Sequence, residues 1–132
     1  MGDKMITVVA ALIKKDNKIL IAKRATGDSN VYGKWEFPGG KVEVNESEEK
    51  AIEREIKEEF DMDIKAINFI TNNICEYPTR TIDLRLYECK YLGGEFKLHD
   101  HLEYAWIDMS DLLNYDLAPA DIPLAQYILE DK

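Results

Sequence analysis

Apolar and polar positions along the chain divide it into short β-type runs and two helical stretches. Residues 5–14 and 18–23 are β-rich runs around Asp16-Asn17, which predicts a hairpin. Residues 25–34 form a polar loop, and "WEF" (35–37) is a short strand that stops at the breaker Pro38-Gly39-Gly40. Ser47 is placed to cap a helix that carries Glu48 and Glu49 in its first turn and runs to about Phe60. Residues 66–77 and 81–91 read as strands joined at "PTR" (78–80), with Gly93-Gly94 as a further turn. "EYAWID" (103–108) is a strand and "SDLL" (110–113) a helical turn. "DIPLAQYILE" (121–130) is a closing helix capped by Asp121, with Pro123 tolerated in its first turn. The order is mostly β with one long central helix and one terminal helix. It lacks the alternation of a doubly wound sheet and suggests a mixed sheet packed between helices.

Composition narrows the class. The 132 residues are one domain's worth, 45% apolar and 33% charged, as expected of a soluble globular protein. No segment approaches the ~18 apolar residues that span a bilayer. The N-terminal stretch lacks the basic start and cleavage site of a signal peptide, and Ile6 breaks the myristoylation pattern behind Gly2. Net charge is −9, which argues against a nucleic-acid duplex or an acidic membrane as partner but leaves room for a phosphate ligand bridged by cations. Cys75 and Cys89 fall too far apart along the paired strands for a disulfide, which suits a reducing, cytoplasmic setting.

The segment "EREIKEEFD" (53–61) concentrates acids within the central helix. With about 100° per residue, Glu55, Glu58 and Glu59 share an arc of about 100°, with Glu48 on the same side. Ile52, Ile56 and Phe60 form the neighbouring apolar stripe, and Lys50, Glu53, Arg54 and Lys57 the far side. Like charges at these spacings repel by a few tenths of a kcal/mol per pair. A solvated acidic face is the ordinary outcome of such a run. The alternative is a hard, oxygen-loving divalent cation, Mg²⁺ or Mn²⁺. "DMDIKA" (61–66) lacks the ligand ladder and glycine of an EF-hand loop.

Upstream residues sharpen this. "GGKVEVNESEEKAIEREIKEEFDM" (39–62) places Gly40, Glu46 and Arg54-Glu55-Ile56-Lys57-Glu58-Glu59 at the spacing G-x5-E-x7-R-E-U-x-E-E-x-G-U. It resembles the Nudix box (40–62), with Asp61 at the one departure, where the pattern has glycine. Asp61 follows the helix, a place where the left-handed backbone is common. "WEFPGGK" (35–41) and "LAPADIPL" (117–124) extend the resemblance to the MutT branch, and more closely to its CTP pyrophosphohydrolase members.

The resemblance implies an α/β (α+β) fold, a Nudix α/β/α sandwich with a mixed β-sheet. It implies a Mg²⁺-dependent hydrolase of small nucleotides, with Mn²⁺ as a possible substitute, acting as monomer or homodimer. Metal ligation carries over to Glu55, Glu58, Glu59 and the Gly39 carbonyl, with Asp100 best fitting a further acidic position and Glu103 as fallback. Arg54 would orient the carboxylates and Glu46 support them. Glu55, Glu59 and Asp100 all qualify as general base. Arg24 and Lys41 match phosphate contacts, though each could equally be a solvated cation. Phe37 could stack on a base or belong to the core, and Arg80 could approach the base or be turn surface. Asp121 could read a base edge through its acceptor oxygens, besides capping the last helix. His99 and His101 are expected in a loop near the substrate mouth. The expected reaction converts CTP, dCTP or modified and oxidised dNTPs to the monophosphate and pyrophosphate, a nucleotide-pool sanitation activity allied to DNA repair. ADP-ribose or dinucleoside polyphosphate hydrolysis and a catalytically silent nucleotide-binding regulator are the alternatives.

Overall fold

The computed structural model describes residues 4–25, 27, 31–94, 97–99 and 101–130. Strand β1 (Lys4–Lys15) turns into β2 (Lys18–Arg24) through Asp16 and Asn17, both at positive φ (52° and 67°), which is the geometry of a tight hairpin. The two strands pair antiparallel only beside the turn, at Lys14↔Ile19 and Lys15↔Lys18. Beyond that they diverge. β2 takes up β3 (Trp35–Glu36) and β7 (His101–Ile107), and β1 takes up β4 (Gly39–Lys41). β1 also runs parallel to β6 (Arg80–Gly94), which pairs antiparallel with β5 (Met62–Tyr77). The sheet is therefore mixed, as expected, with the path β3-β2-β1-β6-β5.

Helix α1 (Glu48–Phe60) is capped by Ser47, whose hydroxyl accepts from the Lys50 N–H at 3.1 Å. It exits through Asp61 in the left-handed conformation (φ 56°, ψ 31°). Helix α2 (Ile122–Glu130) closes the chain. Alternation along β1 sorts the core into two layers. Val9, Ala11 and Ile13 pack with Ala51, Ile52, Ile56 and Phe60 of α1. Ala10 and Leu12 pack with Leu124, Ala125 and Ile128 of α2. The sheet thus lies between the helices as an α/β/α sandwich, and β1 is apolar on both faces for that reason.

Several expectations need correction. Gly39 and Gly40 do not simply break a strand. They form β4 because a Cβ on Gly39 would overlap the Val9 carbonyl, so only glycine allows this close approach to β1. β5 and β6 extend to Met62 and Gly94, beyond the expected ends, with register shifts that leave Ile67 and Ile70 unpaired. Those shifts place Cys89 opposite Ala66, and Cys75 opposite Ile82, seven β6 residues or about 23 Å along the ribbon, still too far for a disulfide. Glu53 is not surface, because its carboxylate accepts from the Ala66 N–H at 3.0 Å beside one of these bulges. Glu48 leaves the acidic face to accept from Arg85 Nε (2.7 Å) and the Tyr87 hydroxyl (2.6 Å). Asp121 ends a 3-10 turn (Pro119–Asp121), and its side chain turns away from the helix it was expected to cap.

Candidate active site

A pocket of about 360 Å³ opens where β1 and β2 diverge, within the size range of small-molecule sites. Val8, Val9, Ala10, Leu84 and Phe37 supply apolar wall, and Gly39 and Gly40 bring backbone close. The polar groups on its wall are Arg24, Glu36, Glu59, His101 and Asp121.

The carboxylates of α1 divide by environment. Glu55 and Glu59 are mostly covered, their side chains 16% and 17% exposed, whereas that of Glu58 is 59% exposed. Glu59 faces the pocket. Glu55 lies against β4, where a Cβ on Gly40 would overlap its carboxylate. Burial pushes the Glu55 carboxyl up, against the pull of Arg54. Arg54, assigned to the far side by the wheel, swings its long side chain round to this face. Its Nε and Nη2 donate to the two oxygens of Glu46 at 2.7 and 3.0 Å, and Nη1 donates to Glu55 and Glu58 at 3.2 Å each. The guanidinium holds the Glu46 carboxyl below the usual carboxylate range. Nη2 also donates to the Lys41 carbonyl, tying α1 to β4.

The donor chemistry of Glu55, Glu58, Glu59 and the Gly39 carbonyl is all oxygen and fits a hard divalent cation. The absence of a Cβ at Gly40 is what lets the Glu55 carboxylate approach the β4 backbone. Among the described residues no three acidic, His or Cys side chains converge closely enough to hold an ion, and Arg54 supplies the positive charge between Glu55 and Glu58. Asp100 lies outside the described residues. Glu103, its fallback, is exposed and pairs with Lys23 at 3.5 Å, away from the pocket.

The opposite wall is built by the end of β3. Trp35 bridges to Leu117, which lays the 117–121 segment alongside and brings Asp121 under Phe37. Asp121 Oδ2 accepts from the Phe37 N–H at 2.9 Å, and the residue is only 5% exposed. Burial, with the Glu36 charge adding to it, pushes its carboxyl up to about 8. A carboxyl raised in this way favours its protonated form, which can donate as well as accept. Phe37 is core, 3% exposed, and reaches the pocket from that position. Arg24 Nη1 donates to Glu36 Oε1 at 2.9 Å on the pocket wall.

Two predicted positions stay apart from this group. Lys41 is exposed at the end of β4, and the site uses its carbonyl. Arg80 is exposed at the β5–β6 turn with its guanidinium 6.0 Å from the Tyr77 ring centre. Glu36 was not singled out from sequence, and His101, expected in a loop near the substrate mouth, does line the pocket. His101 is the first residue of β7, not loop, and its side chain is 4% exposed. Only His99 is exposed, beside Asp61 Oδ2 at 3.2 Å.

Comparison with known proteins gives a consistent result. The NUDIX domain family profile matches residues 3–128. The chain is 40% identical over 123 residues to the CTP pyrophosphohydrolase of Escherichia coli K12, covering 93% of this chain and 90% of that protein. It is 34% identical over 117 residues to the putative 8-oxo-dGTP diphosphatase 2 of Mycobacterium tuberculosis, covering 86% and 81%. The solution structure of the E. coli ORF135 protein superposes with a TM-score of 0.86 at 36% identity over 96% of this chain and 90% of that one. The carboxylate helix, the glycine strand beneath it and these matches lead to one assignment: the chain belongs to the Nudix family of hydrolases.

Proposed function

We propose that the protein is a Mg²⁺-dependent nucleoside triphosphate pyrophosphohydrolase that acts on CTP, dCTP and modified or oxidised dNTPs such as 5-methyl-dCTP and 8-oxo-dGTP. The observation that carries this reading is the shape of the pocket. One wall presents the α1 carboxylate Glu59 beside the Gly39-Gly40 backbone, and the other presents the buried Asp121 carboxyl, within a volume suited to one nucleoside. The 40% identity to a protein named CTP pyrophosphohydrolase supports the substrate class.

A divalent cation, held by Glu55, Glu58, Glu59, the Gly39 carbonyl and Asp100, would neutralise the triphosphate and acidify the attacking water. The rest falls to the chain. Arg24 faces the phosphates from the end of β2, held in place by Glu36. Glu59, on the pocket wall, takes the water proton. Water oxygen bonds to the β-phosphorus, the bond to the α–β bridging oxygen breaks, and that oxygen leaves with the nucleoside monophosphate while pyrophosphate is released. Asp121 and the Phe37 wall contact the base.

The test is a pyrophosphate-release screen with Mg²⁺ over CTP, dCTP, 5-methyl-dCTP, 8-oxo-dGTP, dATP, ADP-ribose and diadenosine polyphosphates. The expected kcat/KM for the best triphosphate exceeds that for ADP-ribose by about tenfold or more, a difference of about 1.4 kcal/mol in transition-state binding. Faster cleavage of ADP-ribose, or no cleavage of any triphosphate, overturns the reading.

A further inference from the structure

We propose that His101 is a positioning residue that couples the substrate-side wall, Glu36 and Arg24, to the α1 carboxylate Glu59. The inference rests on reading this pocket as the active site, and it assigns a role to a residue outside the carboxylate helix.

The backbone places His101 for this. β7 pairs with β2 in regular alternation from Ile107 to Glu103, then shifts register so that Arg24 faces His101, not Leu102. Such an irregularity re-aims the side chain beyond it. The imidazole turns inward and becomes 4% exposed, while Leu102 stays at the surface. The segment before β7 is fastened to the end of α1, because the Lys97 and His99 N–H groups donate to the Phe60 and Glu59 carbonyls at 2.9 and 3.2 Å. These are terminal helix carbonyls, which lack partners within the helix. The start of β7 and the end of α1 therefore form one docked unit.

The side chain completes the connection. His101 Nε2 lies 2.9 Å from Glu36 Oε2, and a carboxylate only accepts, so Nε2 carries the hydrogen. The other oxygen of Glu36 accepts from Arg24. Nδ1 faces Glu59 Oε1 at 4.0 Å and makes no hydrogen bond among the described residues. The ring lies nearly parallel to Phe60, with centres 5.2 Å apart and planes 20° apart. The imidazole thus has one nitrogen on the substrate wall, the other towards the helix carboxylate, and its face against the next helix residue. Side chains placed behind site ligands in this way affect activity by about 10- to 100-fold when removed.

The experiment combines kinetics with imidazole ¹⁵N spectroscopy of the full chain. His101→Phe keeps the ring stack and removes both nitrogens, and His101→Gln restores a polar group at the Nε2 reach alone. The expected result is an unchanged thermal midpoint for H101F with kcat about tenfold or more lower and KM raised, and recovery of KM but not kcat in H101Q. Wild-type kcat and KM in H101F would show a packing residue and overturn the proposal. So would equal KM in the two variants. Independently of any substrate, the wild-type spectrum is expected to place the hydrogen on Nε2, and Glu59→Gln to move the Nδ1 resonance. An Nδ1 resonance indifferent to Glu59→Gln overturns the coupling. If the wild type cleaves no nucleotide, the functional reading fails, and the spectra still decide the coupling.

Discussion

Asp121 is a buried carboxyl whose surroundings raise its pKa. Its folded pKa, about 8, stands above the ordinary value of 3.8. Between these two values the folded chain holds a proton that the unfolded chain has lost, so stability falls as pH rises through that window and levels off above it. Asp121→Asn keeps an acceptor for the Phe37 N–H and removes the titration. Denaturant unfolding at pH 5 and pH 9 is expected to show a larger loss in the wild type than in the variant. Equal losses would remove Asp121 as the cause. The same substitution is expected to change the CTP/GTP preference more than the overall rate, because a neutral carboxyl and an amide offer different donors to a base edge. For catalysis, Glu59→Gln is expected to lower kcat by about 100-fold or more at saturating Mg²⁺, and wild-type turnover would remove Glu59 as proton acceptor. The carboxylates of α1 were legible in the sequence because helical spacing and box spacing agree on them. Glu36 was not singled out, and His101 was expected near the substrate mouth but in a loop, because the register shift between β2 and β7 that accompanies its burial has no local pattern.

At the scale of elements, α1 was the most legible piece of the chain. Ser47, the first-turn acids and the Ile52-Ile56-Phe60 stripe each specify the same helix, and Asp61 ends it in the left-handed region that the pattern assigns to glycine. A side chain in that region costs roughly 1 kcal/mol relative to glycine. The Asp61–His99 pair is exposed and offsets little of this. Asp61→Gly is therefore expected to stabilise the protein by up to about 1 kcal/mol in chemical denaturation while leaving kcat unchanged. A loss of stability would mean that the contact with His99 outweighs the backbone strain. β4 was illegible for the complementary reason. Gly39-Gly40 signals a break in isolation, and only the proximity of β1 and Glu55 turns it into a strand. The β5–β6 ribbon was found but shortened, since its far ends are held by long-range pairing and by Glu53 reaching across to Ala66.

The whole molecule combines a net charge of −9 with a pocket proposed to bind a ligand that is itself strongly anionic. The sandwich was foreseeable from element order, and the run Val8–Ile13 is apolar without interruption because both of its faces are covered. The parallel β1–β6 pairing and the divergence of β1 from β2 that opens the pocket are long-range outcomes with no local signature. In the described arrangement Arg54 shares Glu55 and Glu58, so a divalent cation must compete with it for those carboxylates. Binding to the folded chain alone stabilises it by about 2.7 kcal/mol when the cation stands at about 100 times its dissociation constant. For a domain of this size that is roughly 10 °C in thermal midpoint. Addition of Mg²⁺ or Mn²⁺ to the nucleotide-free protein is expected to raise the midpoint, and chelation to reverse it. Potassium chloride at matched ionic strength screens the same net charge without occupying a site, and is expected to give a much smaller rise. The cation-specific part is expected to shrink in Glu55→Gln and in Glu59→Gln. An equal shift in all three proteins, or one that potassium chloride reproduces, would place the effect in general screening and remove these carboxylates as the binding site.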